Sequence, residues 1–146
     1  MSSILDAPNS HPASLCIDGI TTTFCHTADS ETDPWVSVEI ASVAEVSYVV
    51  ILNRMDCCHD RLSPLQIWVG TSVGDYNSAT SASCGVDEVS LHVPATTGPF
   101  SFRCADSMGN PLAGTFVTIV LPGPSRTLHV AEIEAFSMPA PSLPPQ

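Results

Sequence analysis

The stretch Asn53 to Leu62, NRMDCCHDRL, concentrates side chains that could do chemistry. It holds Arg54 and Arg61, two of only four basic residues, with Asp56, Asp60 and the adjacent pair Cys57 and Cys58. A guanidinium is a planar fork of donors. A neighbouring carboxylate can hold that fork in place while the spare N–H groups face a ligand. The plainer reading is a surface salt-bridge cluster of little energetic weight, and the charge pattern alone favours it. Residues joined by a trans peptide have Cα atoms about 3.8 Å apart, closer than disulfides usually span. A Cys57–Cys58 bridge would therefore close a small strained ring and present a flat, apolar sulfur surface. Pairing of each cysteine elsewhere, or two free thiols, stays open on spacing alone.

Other reactive residues are more scattered. His26 lies in CHTADSETDPW, where a lone histidine is ordinarily structural or simply exposed. The chain has no GxSxG elbow and no other sign of a catalytic serine. Asp18 opens an Asp-Gly turn, and Glu132 and Glu134 occupy alternate positions that share a strand face. An Asp and a Glu joined by loop carbonyls would suit a hard cation such as calcium, but spacing does not bring them together. Zinc is disfavoured, because no CxxC occurs and Cys57-Cys58-His59 is too compressed to wrap a tetrahedral ion.

Six cysteines in 146 residues suggest disulfides and an oxidising compartment. Cys84 and Cys104 flank what reads as two strands and a turn, so their bridge is expected to staple a hairpin. Cys16 and Cys25 flank a short loop and are paired with each other. The net charge of -11 lacks the basic footprint that nucleic acids and anionic membranes require, and no apolar run is long enough to span a membrane. MSSILDAPNS lacks the regions of a secretory leader. The expectation is an excised module of a larger extracellular protein, ending in a Pro-rich linker over 137–146.

The elements that must position these residues are strands. Apolar residues make up 44% of the chain and charged ones 13%, which suits one globular domain over 1–136 rather than a disordered segment. Helical periodicity is nearly absent. Strands are expected at Trp35–Ile40, Val46–Leu52, Leu65–Val69, Val89–Val93, Phe100–Cys104, Phe116–Leu121 and Leu128–Phe136. Seven strands with irregular connections imply an antiparallel β-sandwich. Arg54 then stands at the end of an apolar strand, among loops where a site would sit.

The ordered segments IDG, CHT…DPWVSVEI, VVILNRMDCCHDRL, IWVG and GTFVTIVLP…AEIEAF resemble the F-type lectins, fucose-binding modules of the discoidin or coagulation-factor type C group. The resemblance runs from about Leu15 to Phe136, and its most specific part is Arg54-Met55-Asp56 followed by Arg61, with Cys57 and Cys58 enclosed. It implies a jelly-roll-like β-sandwich that binds terminal L-fucose on glycans without catalysis. By the same resemblance, Cys57 and Cys58 form a vicinal disulfide whose face packs on the sugar. Arg54 and Arg61 bond its oxygens, Asp56 orients the arginines, His26 is the third polar ligand, and Phe24 lines the methyl pocket. Asp18 and Glu132, with the carbonyls of Leu15 and Ile20, match a structural Ca2+ site. The family often places a last-strand cysteine opposite Cys25; Ala131 stands there instead, which supports a Cys16–Cys25 pair. The rival implication is a discoidin-type adhesion module without fucose specificity. Fucosylated glycans are the expected partners, engaged through several copies of the module.

Overall fold

Alternation of apolar and polar residues produces most of the architecture. The computed structural model describes residues 1–6, 9–40, 45–85 and 88–137; apart from Ser137 the expected Pro-rich linker lies outside the described residues. Among them the strands are β1 Cys25–His26, β2 Trp35–Glu39, β3 Glu45–Val46, β4 Tyr48–Leu52, β5 Gln66–Gly70, β6 Ala82–Ser83, β7 Phe100–Arg103, β8 Leu112–Ala113, β9 Phe116–Val120, β10 His129–Val130 and β11 Glu132–Phe136. Two short 3-10 turns, Ala13–Cys16 and His59–Leu62, are the helical elements described.

One antiparallel sheet has the order β11-β4-β7 and the other β2-β9-β5-β6, with β1-β10 and β3-β8 as separate pairs. Val49 and Ile51 from β4 and Ile133 from β11 join Val36, Ile67, Val117 and Ile119 from the other sheet in one buried cluster. The fold is therefore an antiparallel, jelly-roll-like β-sandwich. Each such side chain contributes about 1.5–3 kcal/mol on burial. The central strands β4 and β9 are those whose sequences, YVVIL and FVTIV, are most continuously apolar.

Several expected strands are divided or lost. The run Val46–Leu52 splits at Ser47, whose carbonyl accepts from Cys104 N at 2.8 Å. Leu128–Phe136 splits at Ala131, so β10 pairs with β1 while β11 pairs with β4. Val89–Val93 is not a strand. Leu91 makes one isolated bridge to Leu65, and the following Val93 N donates to a side chain, Ser63 Oγ, instead of extending a ladder. The N-terminal residues lie along the fold as an extended arm, with Ser2 N on Trp35 O and Leu5 N on His26 O.

The Cys84–Cys104 disulfide is formed, but it is no hairpin staple: Cys84 follows β6 and Cys104 follows β7, which belong to different sheets. The bond ties the two layers of the sandwich together. The expected Cys16–Cys25 bridge is absent, and both are buried free thiols. Cys16 Sγ donates to Ala13 O at 3.0 Å and Cys25 Sγ to Val130 O at 3.6 Å. With a carbonyl partner each, they fill the core as small apolar groups. Burial, with Cys16 alongside, pushes the Cys25 thiol well up and keeps it protonated.

Candidate functional site

The end of β4 is where the arginine motif meets the two short strands. Leu52 is the register partner of Glu132, and its carbonyl accepts from Ala131 N at 2.8 Å. The chain leaving β4 thus emerges beside β10, and across β10 beside β1. Asn53, fully buried, shapes the exit: its Nδ2 donates to His59 O and Thr96 O, both at 3.1 Å, and its Oδ1 accepts from Arg54 N at 2.9 Å. On the other side Arg126 donates to the carbonyls of Arg61, Pro64 and Pro122. Neither clamp is legible from sequence, because each reaches carbonyls that are distant in the chain.

Between the clamps, Cys57 and Cys58 form the vicinal disulfide. Cys58 has φ of 64°, the left-handed region that costs a residue with a Cβ about 1–2 kcal/mol. It caps the turn His59–Leu62, where Arg61 N donates to Cys58 O at 3.2 Å. The disulfide and Arg61 are therefore coupled through one turn.

Arg54 is held on two sides. Its Nε and Nη2 donate to Asp56 Oδ1 and Oδ2 at 2.6 and 3.2 Å, and its guanidinium stands 4.1 Å over the Phe24 ring. The guanidinium also holds the Asp56 carboxyl below the usual carboxylate range. His11 stacks on Phe24 at 4.7 Å and 7°, which requires the face opposite Arg54. Both faces of the Phe24 ring are occupied, so it is a platform for Arg54, and only its rim could meet a sugar methyl. Asp56 in turn supports Arg54 alone. Among the described residues the Arg61 side chain has no ion pair, and Asp60 pairs with neither arginine.

His26 lies on β1 and is only 2% exposed. Its Nδ1 donates to Thr27 O at 2.5 Å, which leaves Nε2 as an acceptor in the neutral ring. Burial, together with Arg54 and His11, lowers its pKa against the pull of Thr27 and Asp29. Directly opposite in register is His129, which the sequence reading passed over as one more strand residue. The two rings are 5.3 Å apart. Burial pushes His129 down to about 3, with His26, Arg54 and Arg61 adding to the effect.

The expected cation ligands also converge. Thr23, which the sequence reading missed, gathers them: its hydroxyl donates to Asp18 Oδ2 at 2.5 Å and lies 3.1 Å from Ile20 O and 3.5 Å from Leu15 O. Gly19 N donates to Glu132 Oε1 at 2.8 Å, bringing Glu132 to the same loop. Burial and the nearby Asp18 carboxylate raise the Glu132 pKa, the strain that a bound cation would relieve. A cleft of about 310 Å³ lined by Val50, Leu52, Glu132 and Glu134 opens beside this loop and does not include the arginines.

Residues 15–103 match the F5/F8 type C family described as a NedA-like, galactose-binding domain. That span takes in Asp18, Phe24, His26 and the whole arginine motif. The chain belongs to this family. The chain is similar to a fucolectin of the eel Anguilla anguilla, 30% identical over 110 residues, covering 75% of this chain and 63% of that protein. It is also similar to a pentraxin fusion protein of Xenopus laevis, 30% identical over 115 residues, covering 79% of this chain and 25% of the relative. In structure it is similar to an F-lectin from striped bass (Morone saxatilis) serum, with a TM-score of 0.74 and 26% identity over 92% of this chain and 44% of that one. The domain thus spans less than two thirds of each of these relatives. Two of these relatives, the eel fucolectin and the striped bass F-lectin, are lectins by name.

Proposed function

We propose that this domain is a non-catalytic lectin that binds terminal L-fucose on glycans. The observation that carries the reading is the contrast between the two arginines. Arg54 is locked by Asp56 and Phe24, while Arg61 has no ion-pair partner among the described residues, and the vicinal disulfide lies between them. Adjacent sugar hydroxyls offer acceptor oxygens to such forks, and charge-assisted bonds of this kind are strong. The buried inter-sheet disulfide suits an extracellular module. A shallow single-sugar site is weak, so useful avidity would come from several copies in tandem or by assembly. A glycosidase would need two carboxylates across the sugar; of the two acids in the motif, Asp56 is already committed to Arg54. On a glycan array the expected result is signal confined to fucose-terminated structures, with no sugar released from them. Binding indifferent to fucose would overturn the reading in favour of an adhesion module, and turnover would overturn it in favour of an enzyme.

The reading includes a structural Ca2+ held by Asp18, Glu132 and the carbonyls of Leu15 and Ile20. Hard oxygen ligands of mixed carboxylate and carbonyl type suit calcium, and the convergence on Thr23 supports it. Calcium would bind the folded state alone and raise the melting temperature by about 5 °C at saturation. Asp18→Asn should remove that rise. A melting temperature indifferent to calcium and to chelator would eliminate the site.

A further inference from the structure

His129 is a polar group without a partner in the middle of the site. It is 1% exposed, and neither ring nitrogen has a hydrogen-bond partner among the described residues. A neutral imidazole carries one donor and one acceptor, and buried polar groups are as a rule paired. The surroundings of His129 belong to the ligand site. Its ring lies 5.3 Å from that of His26, and the Phe24 ring meets it edge-on at 6.5 Å. Phe24 itself is half-exposed and precedes β1 on a loop, so opening His129 to a ligand seated on Arg54 requires Phe24 to leave the stack it forms with Arg54 and His11. A histidine serving only the core would gain nothing there over leucine, which fills similar space without leaving a donor unmet.

We propose that His129 is a specificity-determining residue of the sugar site, whose neutral imidazole hydrogen-bonds one hydroxyl of the bound fucose when Phe24 gives way. The proposal rests on the fucose reading above. Charge supports it: with its pKa near 3, the ring stays neutral beside Arg54 and Arg61 at neutral pH, free both to donate and to accept.

The test is calorimetric binding of L-fucose and its singly deoxygenated derivatives, one for each ring hydroxyl, to the unaltered domain and to His129→Leu. The variant should bind L-fucose about 3- to 10-fold more weakly, the effect of one lost neutral hydrogen bond. One deoxy sugar that binds the unaltered domain more weakly should bind the variant as well as L-fucose does. Equal affinity of both proteins for every sugar, or a loss common to all sugars, would overturn the role of His129. If the variant does not fold, nitrogen NMR of the unaltered domain decides: saturation with L-fucose should move one His129 ring nitrogen to its hydrogen-bonded position, and no movement overturns the proposal. Fucose binding that Arg61→Ala removes and His129→Leu spares would sink this inference alone. Absence of any fucose binding by the unaltered domain would sink the fucose reading with it.

Discussion

Arg61→Ala should reduce affinity for L-fucose by about 10- to 100-fold while leaving the melting temperature unchanged. A hydrogen bond from a charged group is worth about 1.5–3 kcal/mol, and each 1.4 kcal/mol is tenfold in affinity. Stability is spared because the Arg61 side chain has no ion pair to lose among the described residues, and substitutions away from such features usually stay within about 0.5 kcal/mol. Arg54→Ala should cause a similar loss of affinity but also lower stability. It removes the bidentate pair with Asp56 and the contact with Phe24, the latter worth about 0.5–2 kcal/mol. Lysine should not rescue Arg54, since a point charge cannot reproduce the fork that Asp56 grips. Calorimetry beside thermal melts separates the two residues. Full affinity in either alanine variant would remove that arginine from the site.

Mild reduction should weaken fucose binding about tenfold before it disturbs the fold. Cys57 and Cys58 are half-exposed, whereas Cys84 and Cys104 are at most 1% exposed, and thiol exchange depends on access to the sulfur. Opening the vicinal bridge removes the apolar sulfur surface. It also frees Cys58 from a left-handed conformation that costs about 1–2 kcal/mol, so the turn carrying Arg61 relaxes. The double change Cys57→Ser and Cys58→Ser should reproduce the loss. A titration with reductant, followed by mass spectrometry for the state of each cysteine pair and by sugar binding, measures this. Undiminished binding with Cys57–Cys58 reduced and Cys84–Cys104 intact would show that the sulfur surface plays no part.

What could be read from the residues is local. The near-continuous apolar runs YVVIL and FVTIV placed the central strands, since such a run is written in consecutive residues. The arginine motif announced its own support, because Arg54 and Asp56 are two residues apart. Asp18 and Glu132 were nameable but not demonstrably together, because they lie more than a hundred residues apart and meet only where β11 passes the Asp18 loop. Cys16 and Cys25 misled because spacing says nothing of where a thiol points, and here each points at a carbonyl.

The sequence by itself determined that this chain is a strand-rich, acidic domain with two arginines and a cysteine pair at the end of an apolar strand. Only the tertiary structure decided which partner each of those groups has. It gave Asp56 and Phe24 to Arg54, left Arg61 without an ion pair among the described residues, turned Cys84–Cys104 into a tie between sheets, and set His129 against His26. The physical reason is that side-chain geometry at a strand end depends on cross-strand register. Register is fixed by burial across the whole sandwich rather than by any neighbour in the chain.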